Sequence, residues 1–510
     1  MFNKILRFFN TIKFLKLKQI NYRLYYLIRS KFRKVVGIKP LLSINSYTYP
    51  LQLQNSIHII DTYLGDNSFC FLNLLKKFEK EIDWNYANYG KLWRYNLTYF
   101  DFLSQNHKDS LFLIENFIDN NIQDGLEPFP ISLRGINWIK YISYHNIKNK
   151  KIDNSLYAQY YILLDTLEYH LLGNHLLENA FSLLFGAYYF QDEKFYNSAK
   201  IILLEQLEEQ ILDDGGHFEL SPMYHQIMLF RVLDCINLIK NNSWKERELL
   251  EFLTIKAEKM FGWLKVISYK NGDIPLLNDS ANCIAPTTDQ LFKYFENLNL
   301  RVENLKLSDS GYRKITKDRY ECVVDIGNIG AEYIAGHAHA DTFSFELRID
   351  GKPFIVDTGI STYESCNRRD VERSTTSHNT VEVNSRNQSE VWGGFRVANR
   401  ANIIDIKELE NMIESTHNGY RNILHTRQWI FNKDSIIIRD NLTQEAKAIA
   451  RLHFHPNITK EDILRYIDID DSWEFGEYFY SPEFNIKLTA IVVVIKFTNY
   501  LEINIKCNKL

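Results

Sequence analysis

The chain has 510 residues, which is too long for one ordinary hydrophobic core, so we expect at least two domains. Its 60 Lys and Arg residues nearly balance 63 Asp and Glu residues, and this balance argues against a nucleic-acid partner for the chain as a whole. The six cysteines form no CxxC pairs and indicate no disulfide framework, and no uncharged run approaches the about 20 residues of a membrane-spanning helix.

Residues 1–60 form a basic N-terminal arm, with eleven Lys or Arg residues and no Asp or Glu. Basic residues interrupt its apolar residues every few positions. It shows neither the uncharged core of a signal peptide nor a cleavage site after it, which favours a cytoplasmic or membrane-peripheral location over a periplasmic one. Two interpretations stay open: an amphipathic segment in peripheral contact with an anionic membrane, or a partly helical leader packed on the main domain.

Residues 61–305 have helical periodicity, and short clusters of Asn, Asp and Gly separate the helices. Apolar residues recur every three or four positions in residues 157–168, 193–211, 223–240 and 247–267. Helical hairpins stacked in series fit this rhythm, either closed into a ring or left as an open array.

Two segments of this half, residues 91–97 and 132–138, combine aromatic residues with Arg and Asn. Aromatic faces beside such polar groups bind sugars by stacking and hydrogen bonding, although ordinary core packing produces the same pattern. A third segment, residues 173–179, places Asn174 and His175 after a glycine, where Asn can also cap a helix.

Ser221 followed by Pro222 predicts the start of a helix, with Ser as the N-cap and Pro at the first helical position. Tyr224 and His225 then fall in the first turn. The partial positive charge of a helix N-terminus favours a nearby anion there.

Residues 306–510 change to a period of two, which predicts strands. Asp350 and Gly351 fit a two-residue hairpin turn. Successive short strands with tight turns indicate an antiparallel β-sandwich, with the domain boundary near residues 300–315.

Histidines and aspartates are concentrated within residues 336–380. His337 and His339 are two apart in an extended segment and therefore face the same side, while Asp357 and His378 follow downstream. Neutral imidazoles and a carboxylate are ligands that zinc takes. An HxHxD site of a binuclear metallohydrolase is the alternative, but those sites commonly carry another His where this chain has Thr342.

The sequence marks out no opposed carboxylate pair for glycoside hydrolysis and no GxSxG nucleophile elbow. Proton abstraction beside a uronate carboxylate requires neutral donors, a base at the carbon and an acid for the leaving oxygen. Asn174, His175, Tyr224 and His337 fit those roles.

Residues 336–363 and 377–384 resemble the heparinase II/III-like polysaccharide lyases, which have alginate lyase relatives. Upstream segments resemble the branch found among bacterial capsule and exopolysaccharide functions, and the resemblance covers residues from about 80 to 480. It implies an incomplete (α/α) toroid followed by an antiparallel β-sandwich, with the active site in the cleft between them.

By this resemblance, Asn174 and His175 neutralise the uronate carboxylate. Tyr224 takes the C5 proton and returns one to the departing oxygen, and His337 assists as acid or base. The remaining implied residues are sugar-subsite residues Arg134, Asn137, Trp138 and His225, and zinc ligands His339, Asp357 and His378.

The resemblance implies one structural zinc per chain, which holds the β wall of the cleft, with Asp341 as a partner that orients an imidazole. It predicts a lyase that cleaves a uronate-containing acidic polysaccharide by β-elimination. Basic residues are not concentrated around the cleft motifs, so a highly sulfated polymer is not the favoured substrate. The alternative is a non-catalytic or modifying polysaccharide-binding component of capsule or exopolysaccharide assembly.

Overall fold

A computed structural model describes residues 2–120, 126–245 and 247–507. Its N-terminal half is helical and its C-terminal half consists of antiparallel sheets. The helices of the first half are α1 Phe2–Ile12, α2 Leu17–Val36, α3 Lys91–Tyr99, α4 Ser110–Asn120, α5 Pro128–Tyr144, α6 Lys150–Asp165, α7 Gly173–Phe190, α8 Glu193–Gln210, α9 Pro222–Asn241, α10 Glu248–Ile267 and α11 Thr288–Asn297. A short hairpin, β1 Ser68–Phe71 and β2 Leu74–Lys77, lies between α2 and α3.

Helix α7 lies at the centre of the helical half, and α5, α6, α8 and α9 contact it. Nearly all of its residues are buried, because apolar side chains surround it on every side. The approach of α6 is close at Gly186, where an added Cβ atom would lie 2.6 Å from the ring of Tyr160. One continuous apolar core joins these helices.

The β half has its own core, formed between three main sheets. Its strands are β3 Tyr312–Thr316, β4 Tyr320–Asp325, β5 Phe345–Ile349, β6 Lys352–Ile355, β7 Val381–Val383, β8 Val391–Trp392, β9 Arg396–Val397, β10 Ile403–Leu409, β11 Met412–Tyr420, β12 Ile423–Phe431, β13 Ser435–Leu442, β14 Ala448–His453, β15 Ile467–Ile469, β16 Trp473–Tyr480, β17 Leu488–Phe497 and β18 Tyr500–Lys506. Two short helices, α12 Asn367–Glu372 and α13 Lys460–Tyr466, interrupt them.

The largest sheet has the strand order β10-β11-β12-β13-β18-β15, and two four-stranded sheets have the orders β16-β17-β14-β7 and β3-β4-β5-β6. Half-buried and buried residues alternate along most of β12 and β13, as expected for strands with one face on a core. The predicted turn at Asp350 and Gly351 joins β5 to β6, which pair at Ile349 and Lys352. The predicted order of a helical half followed by an antiparallel β half is confirmed.

The helical half ends at Asn297 and β3 begins at Tyr312, an interval that contains the predicted boundary. Asp214 fixes this connection, because its carboxylate accepts hydrogen bonds from the Ser310 backbone at 3.0 Å and the Ser310 hydroxyl at 2.6 Å. The first part of the basic arm folds as α1 and α2, and residues 38–60 continue it without regular secondary structure. Within the described ranges, no helix is both long and apolar enough to cross a membrane.

Candidate active site

A cavity of about 470 Å³ lies between the two halves. It adjoins a second cavity of about 610 Å³, and the two share wall residues that include Asn96, Asp101 and Arg231. We call the smaller of the two the inner cavity. The polar side chains that line it and can take part in chemistry are Asn174, His175, Tyr224, His337 and Tyr363. All four residues predicted to carry the reaction therefore line one cleft.

The N-terminus of α7 forms one side of the inner cavity. Gly173 begins the helix at φ +57°, and an added Cβ atom would lie 2.9 Å from Oε1 of Glu219, so glycine fits both the backbone and the space. The Asn174 backbone N–H donates to Glu219 Oε1 at 3.2 Å. Among the described residues, the buried side-chain oxygen of Asn174 has no hydrogen-bond partner, which leaves this carboxamide available to a ligand.

His175 follows in the same helical turn and pairs with the buried Glu168. Its Nδ1 lies 3.0 Å from Glu168 Oε1, and Asn179 donates to the other carboxylate oxygen at 3.0 Å. Burial lowers the pKa of His175, but the Glu168 carboxylate outweighs burial, so the pKa is raised above its ordinary value. An ionised Glu168 can only accept, so Nδ1 carries a proton. Glu168 therefore favours the charged form of this imidazole, at a helix N-terminus that itself favours anions.

Tyr224 lies in the first turn of α9, which begins at Pro222 as predicted. The hydroxyl of Ser221 caps the helix by accepting a hydrogen bond from the Tyr224 backbone N–H at 3.2 Å. Burial raises the pKa of the Tyr224 phenol, so the side chain is neutral in the ligand-free protein. The hydroxyl of Tyr363, a residue that was not predicted for this site, donates to the Tyr224 oxygen at 3.4 Å.

His337 reaches the cleft from the β half and stacks on Tyr224, with the ring centroids 3.9 Å apart and the planes 18° apart. Its Nδ1 faces Oε2 of the buried Glu219. Burial raises the pKa of Glu219, but His337 outweighs burial and the pKa is lowered, so this carboxylate is ionised. Because an ionised carboxylate only accepts, His337 donates through Nδ1, and in a neutral ring Nε2 carries the lone pair.

Behind His337 the β wall contains a fully buried network of charges. Arg369 makes two hydrogen bonds to Asp279, at 2.5 and 2.6 Å, and His339 Nε2 lies 2.8 Å from the same carboxylate. The Asp279 backbone N–H donates to the His337 carbonyl at 3.1 Å. This network crosses from the helical half to the β half and fixes the backbone on either side of His337.

The predicted zinc ligands lie in the same buried region. His378 Nδ1 is 2.7 Å from Asp357 Oδ2, and the rings of His339 and His378 are 5.2 Å apart. Three buried atoms find no hydrogen-bond partner within the part of the chain that the structure describes: His339 Nδ1, His378 Nε2 and Asp341 Oδ2. These donors suit zinc in their chemistry. In the described part of the chain, however, no three His, Cys, Asp or Glu side chains converge closely enough to hold a metal ion.

Two residues predicted to contact sugar are instead buried inside the helical half. Arg134 donates to Gln159 Oε1 at 2.8 Å and to the Thr98 carbonyl at 3.0 Å, and burial lowers its pKa to about 9. Trp138 is fully buried and packs edge-on against Phe100. Their prediction as substrate contacts was wrong, because other helices cover both side chains.

Asn137, on the same helix, lines the larger cavity. Its side-chain amide donates to Asp101 Oδ1 at 2.6 Å and to the Tyr99 carbonyl at 2.9 Å. A contact between Asn137 and substrate therefore stays a prediction, with the residue placed where it can make one.

His225 was also predicted as a substrate contact and is also buried. Its Nε2 lies 2.9 Å from the Met260 carbonyl, its Nδ1 accepts from the His217 backbone at 3.2 Å, and its ring packs on Trp263. Burial lowers its pKa to about 3, so it is neutral. This prediction was wrong, since His225 points away from the cleft into the core.

Sequence reasoning missed Glu168 and Glu219, the two carboxylates that orient His175 and His337. Glu219 and His337 are 118 positions apart, and only the packing of the two halves brings them together. Glu168 lies seven residues before His175, across a loop. Tyr363 ends the segment that carries the family resemblance, which was the one signal that could have drawn attention to it.

Two family models match the chain. The model described as "Heparinase II/III N-terminus" matches residues 152–300, and the one described as "Heparinase II/III-like, C-terminal" matches residues 302–483. The chain belongs to the heparinase II/III-like family. The two matches meet between α11 and β3, where helices give way to strands.

Curated relatives of this family member include heparin-sulfate lyases. The one from Bacteroides stercoris is 23% identical over 318 residues, which are 56% of this chain and 46% of that protein. The one from Pedobacter heparinus is 24% identical over 320 residues, which are 57% of this chain and 47% of that protein. The chain thus spans about half the length of the curated relatives it matches.

Solved structures show the same fold. A crystal structure of heparinase III aligns with a TM-score of 0.61 at 16% identity, covering 85% of this chain and 80% of that one. Heparan sulfate lyase HepC from Pedobacter heparinus aligns with a TM-score of 0.52 at 17% identity, covering 86% and 81%. The predicted fold, an (α/α) toroid followed by an antiparallel β-sandwich, is confirmed.

Proposed function

We propose that the chain is a polysaccharide lyase that cleaves a uronate-containing acidic polysaccharide by β-elimination. The observation that carries the proposal is the stacked pair of Tyr224 and His337, one from each half, beside the Asn174 and His175 helix terminus. The named relatives are heparin-sulfate lyases, which supports the same class of reaction.

The first requirement of this reaction is a site for the uronate carboxylate. His175, charged through Glu168, and the carboxamide of Asn174 would donate to it, and the N-terminus of α7 adds its partial positive charge. Withdrawing charge from the carboxylate makes the neighbouring C5 proton more acidic. Glu168 is thus a positioning residue that favours the protonated imidazole of His175.

The second requirement is a base and an acid. His337, with Nδ1 held by Glu219, would accept the C5 proton at Nε2, while the C5–H electron pair forms the C4–C5 double bond and the C4–O bond breaks. Tyr224 would donate its proton to the departing oxygen, and the raised pKa of its phenol supports this role. The role of base predicted for Tyr224 from the family resemblance would instead require the tyrosinate. Proton exchange with solvent restores both groups.

The charges of the cleft support a substrate with few or no sulfate groups. Among the described residues that line the two cavities, each Lys or Arg has a carboxylate partner. The pairs are Lys91 with Glu127 at 3.2 Å, Arg231 with Glu178 at 3.2 Å, and Lys140 with Asp234. A densely sulfated chain needs unpaired cations, and these are already neutralised.

We also propose that His339, Asp357 and His378 hold one structural zinc, with Asp341 orienting an imidazole. The unpartnered nitrogens of both histidines support this assignment, which requires the three side chains to move closer together than they lie in the structure. The metal, when bound, would cross-link the β wall. Elemental analysis of the purified protein should find one zinc per chain, and a chelator should lower its melting temperature. Metal-free protein with unchanged melting temperature and activity would contradict the assignment.

The lyase activity is tested by the ultraviolet absorbance of the unsaturated uronate product, on a panel that pairs unsulfated and sulfated forms of the same uronan. We expect the chromophore with the unsulfated member and less with the sulfated one. Polymers that bind the protein without ever yielding the chromophore would contradict the proposal and identify a polysaccharide-binding protein.

A further inference from the structure

Helix α2 lies on the helical half with its polar side facing inward. The inward side chains are Gln19, Tyr22, Tyr26, Arg29 and Arg33. Gln19 donates to the Leu171 carbonyl at 2.9 Å, and Tyr26 donates to the Leu167 carbonyl at 2.5 Å. Polar contacts therefore attach this helix to the protein.

These contacts continue along α2. Arg29 donates to the Asp165 carbonyl at 2.7 Å, and Arg33 donates to the Asp165 carboxylate at 3.2 Å. Tyr22 stacks on Tyr169 with the ring centroids 4.6 Å apart. The inner face is thus satisfied by hydrogen bonds, an ion pair and aromatic stacking.

The opposite face of α2 is apolar and exposed. Its members recur at helical spacing, and Leu17 is 76% exposed and Val35 86% exposed. The stripe consists of Leu17, Ile20, Leu24, Leu27, Ile28 and Val35. A surface helix of a water-soluble protein normally turns its apolar stripe toward the core, so this orientation is the reverse of the usual one.

Helix α1 adds further exposed apolar side chains, among them Phe8 and Phe9. Like α2, it is attached through polar groups: Arg7 pairs with Glu390 at 2.6 Å, and Trp392 donates to the Thr11 hydroxyl at 3.1 Å. Both helices of the arm are therefore fixed to the protein while they expose apolar surface.

Unpaired cations accompany this apolar surface. Lys13, Lys31, Lys34 and Lys39 are exposed and take part in none of the ion pairs found among the described residues. The arm contains no acidic residue to offset them. A second copy of the chain would bring two such arms together and repel, whereas an anionic lipid surface attracts cations and accepts apolar side chains.

We propose that α1 and α2 dock the protein on the surface of an anionic bilayer. The apolar stripe of α2 enters the boundary between head groups and acyl chains, and the flanking lysines contact acidic head groups. The 20 residues of α2 give an apolar stripe about 30 Å long that would lie in the membrane plane. This inference stands independently of the proposed lyase activity.

The test is co-sedimentation of the full chain with vesicles of phosphatidylcholine, with and without phosphatidylglycerol. We expect binding to the phosphatidylglycerol vesicles that weakens as salt rises. The double variant L24D/I28D removes the apolar contact and should weaken partitioning at least about tenfold. Its matched control is I201D/I255D on α8 and α10, where the isoleucines are 56% and 61% exposed, against 59% and 57% at Leu24 and Ile28.

A second pair of variants tests the charges. K31Q/K34Q should reduce binding and its salt dependence, whereas K433Q/K487Q, which changes two exposed lysines of the β half, should bind as wild type. Wild-type protein that binds neither vesicle, or L24D/I28D that binds as wild type, would overturn the proposal. A dimer seen by light scattering and dissociated by L24D/I28D, without vesicle binding, would overturn it in favour of a second copy. Cleavage of a soluble uronan by L24D/I28D should equal that of wild type.

Discussion

The two walls of the cleft are built differently. The helical wall presents Asn174, His175 and Tyr224 in the first turns of two helices, and a single buried carboxylate lies behind each imidazole of the cleft. The β wall presents one imidazole, His337, and behind it lies the fully buried network of Asp279, His339 and Arg369.

The two walls therefore have different tasks, since one would supply most of the reacting groups and the other would mainly hold a ring in place. Helix N-termini place small polar groups and partial positive charge at a ligand, so the helical wall can recognise an anion directly. A buried network of charges is costly unless every member is paired, and the paired network defines one geometry. The helical wall would therefore supply most of the reacting groups, while the β wall holds one ring against Tyr224.

The largest expected effect belongs to Tyr224→Phe. Loss of the phenolic proton donor should reduce kcat about a thousandfold, measured by product absorbance. The melting temperature should stay near that of wild type, because the phenol makes one weak hydrogen bond to the described residues, at 3.4 Å. A variant that keeps a tenth of wild-type kcat would exclude Tyr224 as the acid.

His339→Ala tests the supporting role of the β wall. Asp279 loses one of its buried partners, so we expect the free energy of unfolding to fall by about 3 kcal/mol, together with a large loss of activity. Denaturant unfolding and the activity assay should decline together. A stable, zinc-free and fully active variant would contradict the supporting role of the β wall.

Glu219→Gln tests the positioning of His337. The amide keeps one oxygen for the His337 Nδ1 proton, but it loses the negative charge beside the ring and places an NH2 group against the Asn174 backbone N–H. We therefore expect kcat to fall about tenfold to a hundredfold, with a smaller rise in KM. Exposed Glu205→Gln on α8 is the control. A change confined to KM would assign Glu219 to substrate binding instead.

Glu168→Gln should have the smallest effect, and that effect should be a higher KM. The Glu168 carboxylate raises the pKa of His175, so the charged ring persists below that raised pKa and is lost as pH rises through it. KM should therefore rise on the alkaline side in wild type. Removing the carboxylate lowers the pKa, so the rise should begin at lower pH, with KM near neutrality increased about tenfold. An unshifted KM profile would contradict the pairing.

Local patterns in the sequence were enough to predict the order of the two halves, the start of α9 and the hairpin turn at Asp350 and Gly351. The period of apolar residues, the N-cap at Ser221 and the turn residues each act over a few positions. His337 was identified by its motif, but the expected extended segment was wrong: residues 336–344 form turns and bends ahead of β5, so His337 lines the cleft while His339 is buried behind it.

Only the tertiary structure decided which side chains of a buried helix face the cleft and which face the core. Helix α5 is buried on most sides, so its pattern did not distinguish Asn137, at the cavity, from Arg134 and Trp138, inside the core. His225 follows Tyr224 by one residue, and the rotation of about 100° per residue turns it from the cleft to Trp263. A sequence records helical spacing, but the neighbours that bury a given side exist only after packing.

The sequence by itself determined the architecture, the four residues proposed to react, and the basic character of the N-terminal arm, because each is written in local periodicity, motif or composition. Only the tertiary structure decided which carboxylates orient the imidazoles and which face of α2 meets solvent. Those outcomes depend on contacts between residues as far apart as Glu219 and His337, or Arg33 and Asp165, which no local pattern encodes.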